Sequence, residues 1–280
     1  MRLADISSPN HDEFDKMKAM PLHTHSKRFP PLVALSALSC GGALAFTALQ
    51  FDATVTGSVA RTGDGAVAAW ASTGGGVVVT PCHTNGTGWA APQHGAGGAI
   101  DFAAEGCAVS PLSFPLSETG LVTRAFIVAT GTDAATYQTL LDAPCPLRLM
   151  PTEEGGAVHF ATSSVLSSAA LAIDFAPSTT FSSGLHVYEM ELTEPCPLRD
   201  LYVGGSPATP AWDRGWNGSV REAVFVSPSA TAEEVAVVRS YLSKRWRIGR
   251  CRSGVAGELS VLKRLGIRQG GVYGSMMLLR

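Results

Sequence analysis

The feature that most restricts this chain's fold is a succession of short β-rich runs, each closed by a turn cluster. Runs at residues 45–53, 67–71, 76–80, 99–103, 121–130, 137–142, 147–150, 157–161, 169–175, 184–192, 200–203 and 219–226 are rich in Val, Ala, Leu, Ile, Phe and Thr. Between them stand Gly63-Asp64-Gly65, Asn85-Gly86 and Gly204-Gly205. Short strands at such intervals specify an antiparallel sandwich or barrel, not a helical bundle. The chain has 280 residues, 45% of them hydrophobic, with 30 Gly and 17 Pro. That is enough apolar content for one full-sized core.

Period-two patterning supports the strands. In the run from Leu185 to Leu192, residues Leu185, Val187, Glu189 and Glu191 share one face, and His186, Tyr188, Met190 and Leu192 share the other. The second face is the expected core face. One helix is also predicted. Thr231 and Glu234 have the spacing of a capping box, and Val235, Val238, Leu242 and Trp246 recur at helical spacing behind it. Lys244, Arg245 and Arg247 suit the negative end of its dipole.

The order of motifs resembles a known superfamily. Leu49-Gln-Phe-Asp-Ala53 followed by Val67-Ala-Ala-Trp70 resembles the opening of laminin-G-like domains of the concanavalin A-like superfamily. The ending is similar too: Trp216-Asn-Gly-Ser-Val-Arg-Glu-Ala-Val-Phe-Val226, a Ser-Pro turn, a capped helix, then Tyr241-Leu242 and Lys244-Arg-Trp246. Tyr137-Gln-Thr-Leu-Leu-Asp142 and Leu201-Tyr-Val-Gly-Gly205 fall between them in the expected order. The resemblance implies an all-β, two-sheet antiparallel jelly-roll sandwich over residues 43–246. One C-terminal helix would pack on it, with an extension at 1–42 and a basic tail at 247–280. It implies little about function, because members include lectins, adhesion modules, virion components and glycosidases.

Catalysis has one sequence candidate. Glu189-Met-Glu-Leu-Thr-Glu194 resembles the E-x-D-x-x-E strand motif of laminarinase-type glycoside hydrolases in that superfamily, and alternate residues of one strand can bring two carboxylates within about 5 Å. Here Glu191 replaces the aspartate, Pro195 follows immediately, and no aromatic-rich cleft accompanies the strand. The expectation is therefore a solvent-facing acidic strand in a protein that is not an enzyme. There is no G-x-S-x-G elbow, and Gly74-Gly75-Gly76 lacks the lysine of a phosphate loop. The seven histidines are scattered, Asp64, Asp133 and Asp213 are isolated, and no cysteine spacing suggests zinc, so neither metal nor cofactor is expected. Ligand binding falls instead to aromatics in or beside Gly/Pro-rich loops: Trp89, Tyr202, Trp212 and Trp216. Their ring faces can stack on sugars or cover a partner's apolar surface, although Trp70 and Trp216 also fit core positions.

Two cysteines lie in a repeated pentapeptide, Pro144-Cys-Pro-Leu-Arg148 and Pro195-Cys-Pro-Leu-Arg199, whose prolines point to loop or edge positions. Either Cys145 and Cys196 form a disulfide in an oxidising compartment or both stay reduced. Residues 31–50 are uncharged and follow Lys27-Arg28. Three readings stay open: a single membrane span, a secretory signal, or the first strand with a short helix before it. Two sequons, at Asn85 and Asn217, matter only in a eukaryotic secretory pathway. Charge is uneven: residues 247–280 carry +6, leaving −8 for residues 1–246 of a chain whose net charge is −2. The tail is either a solvated or self-docked extension or a seeker of anionic partners. No nucleic-acid-reading fold accompanies it, and residues 255–265 could form a short amphipathic helix. Two functions follow. One is a structural subunit docked onto other protein subunits of a membrane or virion assembly through its extensions. The other is a membrane-associated or extracytoplasmic module that binds glycans.

Overall fold

In a computed structural model of the chain, residues 46–83, 89–95, 97–102, 108–131, 138–142, 149–151, 158–160, 170–177, 183–207 and 215–269 are described. The chain divides after Cys40, and all of these residues belong to the second unit. Its strands are β1 (Ala48–Asp52), β2 (Val59–Arg61), β3 (Val67–Ala71), β4 (Val78–Pro81), β5 (Trp89–Ala90), β6 (Gln93–His94), β7 (Ile100–Asp101), β8 (Ala108–Val109), β9 (Leu112–Ser113), β10 (Leu121–Gly131), β11 (Leu141–Asp142), β12 (Leu149–Pro151), β13 (Val158–Phe160), β14 (Ala170–Ile173), β15 (Ala176–Pro177), β16 (Gly184–Pro197), β17 (Tyr202–Val203) and β18 (Gly218–Val226). Helices α1 (Ala232–Trp246) and α2 (Glu258–Arg264) follow.

The protein is mostly β, with two antiparallel sheets. The larger has eight strands in the order β15-β14-β16-β10-β18-β7-β6, with β1 pairing β18. The smaller has six, in the order β11-β17-β9-β4-β3-β2. Hairpin β12-β13 and the parallel pair β5-β8 stand apart. The two sheets bury a common core. Phe51 and Phe225 of the larger meet Trp70 of the smaller and Phe114, which directly follows β9, with ring centroids 5.3–5.7 Å apart and edge-to-face geometry.

The larger sheet is covered on its other face as well. Phe126, Val128, Val187, Val224 and Val226 pack there against Val237, Val238, Tyr241 and Leu242 of α1 and Val261 and Leu262 of α2. This explains why β10 reads Leu-Val-Thr-Arg-Ala-Phe-Ile-Val-Ala-Thr-Gly without clean alternation: a strand buried on both faces carries apolar residues at consecutive positions. The expectation for β16 was half right. Tyr188 and Met190 face the inter-sheet core, but Val187 and Glu189 on the opposite face are also buried, under the helical layer.

The capping box of α1 is present: Glu234 N donates to Thr231 Oγ1 (3.2 Å) and Thr231 N donates to Glu234 Oε2 (2.9 Å). The buried stripe is broader than the sequence spacing indicated, since Val237 and Tyr241 join Val238 and Leu242 while Val235 and Trp246 lie at its margin. The helix packs on both the sheet and α2, so it needs a wider apolar face.

Three further expectations concern the flanks and the cysteine repeat. Of the two readings of the tail as an extension, the self-docked one holds through residue 269. Val261, Leu262, Leu265 and Ile267 are buried in the outer core, and α2 falls within the short amphipathic helix expected at 255–265. The prolines beside Cys196 fit the edge reading and not the loop one: β10 pairs Cys196 with Val122 and Pro197 with Leu121, but β14 reaches only as far as Glu191, so among the described residues β16 has a neighbour on one side here. The ladder shifts register between Val122 and Arg124, and a bulge there absorbs the residues around Pro195. Finally, the uncharged run at 31–50 does not lie within one element: Ala48, Leu49 and Gln50 are strand, whereas residues 31–45 lie outside the described residues. Among the described residues no helix is long and apolar enough to cross a membrane.

Candidate functional site

Strand β16 places Glu189 and Glu191 on the outer face of the larger sheet, as period two requires. Their environments differ. Glu189 is only 2% exposed, so the expected solvent-facing strand does not hold at this residue. Arg239 of α1 donates from Nε to Oε1 and Oε2 (3.1 and 2.9 Å) and from Nη2 to Oε1 (2.6 Å), and Arg124 Nη1 also donates to Oε1. Arg124 Nη2 then reaches the half-exposed Glu191 at 2.6 Å. Two guanidiniums occupy the carboxylate that a hydrolase would need free for a sugar. Glu194 is exposed, within the bulge.

A second acidic pair lies on the same outer face. Asp52 and Glu222 are direct cross-strand partners of β1 and β18, both fully buried. One arginine serves both: Arg245 Nη2 meets Asp52 Oδ2 at 2.6 Å and Arg245 Nε meets Glu222 Oε2 at 3.2 Å. Glu222 also accepts from Gln50 Nε2 (2.5 Å), Tyr241 Oη (2.9 Å) and Trp246 Nε1 (2.7 Å). Gln50 extends the network, since its Oε1 accepts from Thr73 Oγ1 and from Arg268 N, both at 2.8 Å. Burial pushes Glu222 above the usual carboxylate range, opposed by Arg245 and reinforced by Asp52. The Tyr241 hydroxyl is driven up by burial and by Glu222. This buried network fastens β1, β18, α1 and the segment at Arg268 together. Sequence reasoning missed it, because nothing in the local pattern of Leu49-Gln-Phe-Asp marks the polar positions as buried.

Among the described residues, the aromatics expected to bind a ligand do not form one surface. Trp216 is 1% exposed; its ring packs on Tyr188 and its Nε1 donates to the Thr130 carbonyl at 3.0 Å, so it is a core residue. Trp89 is buried too, stacked on His83 with centroids 4.2 Å apart and planes 13° from parallel. Tyr202 is part-exposed on β17 opposite Asp142 and Ser113. Trp212 lies outside the described residues. Cys196 is in a disulfide, Cys82 and Cys251 are thiols, and Cys145 lies outside the described residues. Among the described residues no three His, Cys, Asp or Glu side chains are grouped to hold a metal ion.

One open cleft, of about 610 Å³, lies where the last turn of α1 meets the segment that follows it. Ser243, Lys244, Gly249, Arg250, Cys251 and Arg252 line it. The Cys251 thiol is raised by burial, against the pull of Arg239. The arginines were visible in sequence as part of a basic tail, but only the return of the chain onto α1 brings them around one cavity. No protein-family model, curated protein or solved structure matches the chain.

Proposed function

We propose that this chain is a non-catalytic binding or assembly module, a structural subunit that holds partner proteins in a larger complex. The observation that carries the reading is the state of Glu189. The first carboxylate of the hydrolase-like motif, Glu189, is enclosed beneath α1 by Arg239 and Arg124. A structural role for that ion pair fits this burial better than an acid or nucleophile, which needs an oxygen open to its substrate.

The finer fold reading, a concanavalin A-like jelly roll, is supported by a capped helix directly after β18 and by the entry of β1 beside that strand. The disulfide at Cys196 suits an extracytoplasmic or virion setting, and we assign Cys145 as its partner. Because residues up to Arg268 pack on their own sheet, docking onto other subunits falls to residues 1–42 and to the exterior of the folded unit. The test compares the full chain with one lacking residues 1–42 in gentle detergent extracts of the native source. Co-purification of the full chain alone with a larger complex is expected. Both proteins behaving as free monomers, or β-glucan hydrolysis that disappears in Glu189→Gln, would refute the reading.

A further inference from the structure

We propose that the cleft at the end of α1 is a binding site for a dianionic phosphoryl group, presented as free phosphate or as a small phosphomonoester. The site goes beyond the assembly reading and stands whether or not the chain assembles.

The first support is that the cleft wall is built. Ser243 Oγ accepts from Cys251 N (3.2 Å) and donates to the Gly249 carbonyl (3.3 Å). That pins residues 249–251 against the last helical turn. Gly249 holds φ +60, and a Cβ there would sit 2.7 Å from the Asp174 carbonyl oxygen. Only glycine allows the segment to seat so closely on the turn after β14. Glu258 secures the far side by accepting from Lys244 Nζ (2.5 Å), Ser240 Oγ (2.9 Å) and Ser253 Oγ. Arg250 and Arg252 thus project from a backbone that is fastened before any ligand arrives, which lowers the ordering cost of binding.

Charge supplies the second support. The cleft lining holds the cations Lys244, Arg250 and Arg252 and no carboxylate; of the two carboxylates that act on Cys251, Glu258 is engaged by Lys244 and Glu189 by Arg239. Arg124, Arg199, Arg239, Arg245 and Arg264 have carboxylate partners, whereas Arg250 and Arg252, like Arg247, Lys263 and Arg268, have none among the described residues; what sets those two apart is that they line the cleft. The Ser243 carbonyl in the last turn of α1 is capped by the backbone N–H groups of Arg247 and Ile248, which offsets part of the negative charge that this helix end presents to an anion, and no hydrogen bond ties Arg250 or Arg252 to that turn among the described residues. Two uncompensated guanidiniums match a dianion, and their planar forks suit bidentate contact with phosphoryl oxygens. A neutral sugar would leave both charges unanswered.

Cys251 lines the cleft and reports on its occupancy, with Cys82 as an internal control outside it. The experiment follows alkylation of the full chain by iodoacetamide, resolved by peptide mass spectrometry, at constant ionic strength set with sodium chloride. Inorganic phosphate, glucose 6-phosphate and succinate are titrated separately. Protection should follow 1 + [L]/Kd, so Cys251 should slow about tenfold at ligand near ten times Kd while Cys82 is unchanged. Protection by phosphate identifies the free ion as sufficient; protection by the ester alone identifies an organic phosphate. Arg250→Gln/Arg252→Gln should lose the protection and keep its melting temperature, and the single Arg250→Gln serves if the double variant is unstable. Equal protection by succinate, no protection by either phosphate, or protection retained in the variants would overturn the proposal.

Discussion

Replacing Leu262 with alanine removes one side chain from the outer core, on a helix too short to hold itself. Leu262 is 2% exposed and packs with Val261, Leu265 and Ile267 against α1 and the larger sheet. Truncating a leucine in such a site costs about 2–5 kcal/mol, the spread reflecting how far the cavity collapses. For a unit of this size 1 kcal/mol lowers the melting temperature by about 2–4 °C, so a drop of roughly 4–20 °C is expected. Leu259, in the same seven-residue helix, is 52% exposed and provides the contrast. Leu259→Ala should stay within about 0.5 kcal/mol of the parent. An isolated helix of this length does not persist in water, so the penalty can also appear as undocking of α2, which bounds the global effect. Thermal melts with hydrogen exchange over residues 258–267 separate the two: a global loss lowers the melting temperature, and undocking raises exchange in that segment alone. Neither change in Leu262→Ala, or equal effects of the two substitutions, would refute the assignment of the tail to the core.

Other consequences can be measured in the same way. Arg245→Met leaves Asp52 and Glu222 buried without their shared cation and should cost about 3–5 kcal/mol in urea unfolding, with partial recovery when Asp52→Asn is added. Hydrogen bonds from Lys244 and Ser253 hold Glu258 down to about 2, below its ordinary 4.5. Its stabilisation is therefore complete above about pH 4.5 and lost as pH falls towards 2. With Lys244 largely in solvent the contribution is about 1–2 kcal/mol, and Glu258→Gln should flatten the acid limb of the melting-temperature profile. Glu222 acts with the opposite sign, because its raised value favours the fold at low pH and the benefit fades as pH rises above about 4.5. Non-reducing peptide mapping should recover Cys196 joined to Cys145; a Cys196 peptide joined to any other cysteine would overturn that pairing.

The sequence by itself determined the local elements. The β-rich runs at 121–130 and 219–226 became β10 and β18, and the Thr231–Glu234 spacing became a capping box, because propensity, alternation and caps act over a few residues. It also contained the cations of the cleft and the apolar positions of α2. Only the tertiary structure decided what faced what. Glu189 read as a solvent-facing acid because alternation reports two faces but not what covers them, and α1 covers the second. Trp216 had the composition of a loop aromatic and became core because β18 begins under the Gly204 turn, where its backbone N donates to the Gly204 carbonyl at 3.1 Å. Gln50, Asp52, Glu222 and Arg245 are up to 195 positions apart, so no local pattern could join them. Burial and charge pairing are properties of the assembled layers, and they settle which of the polar residues written in the chain are free to meet a partner.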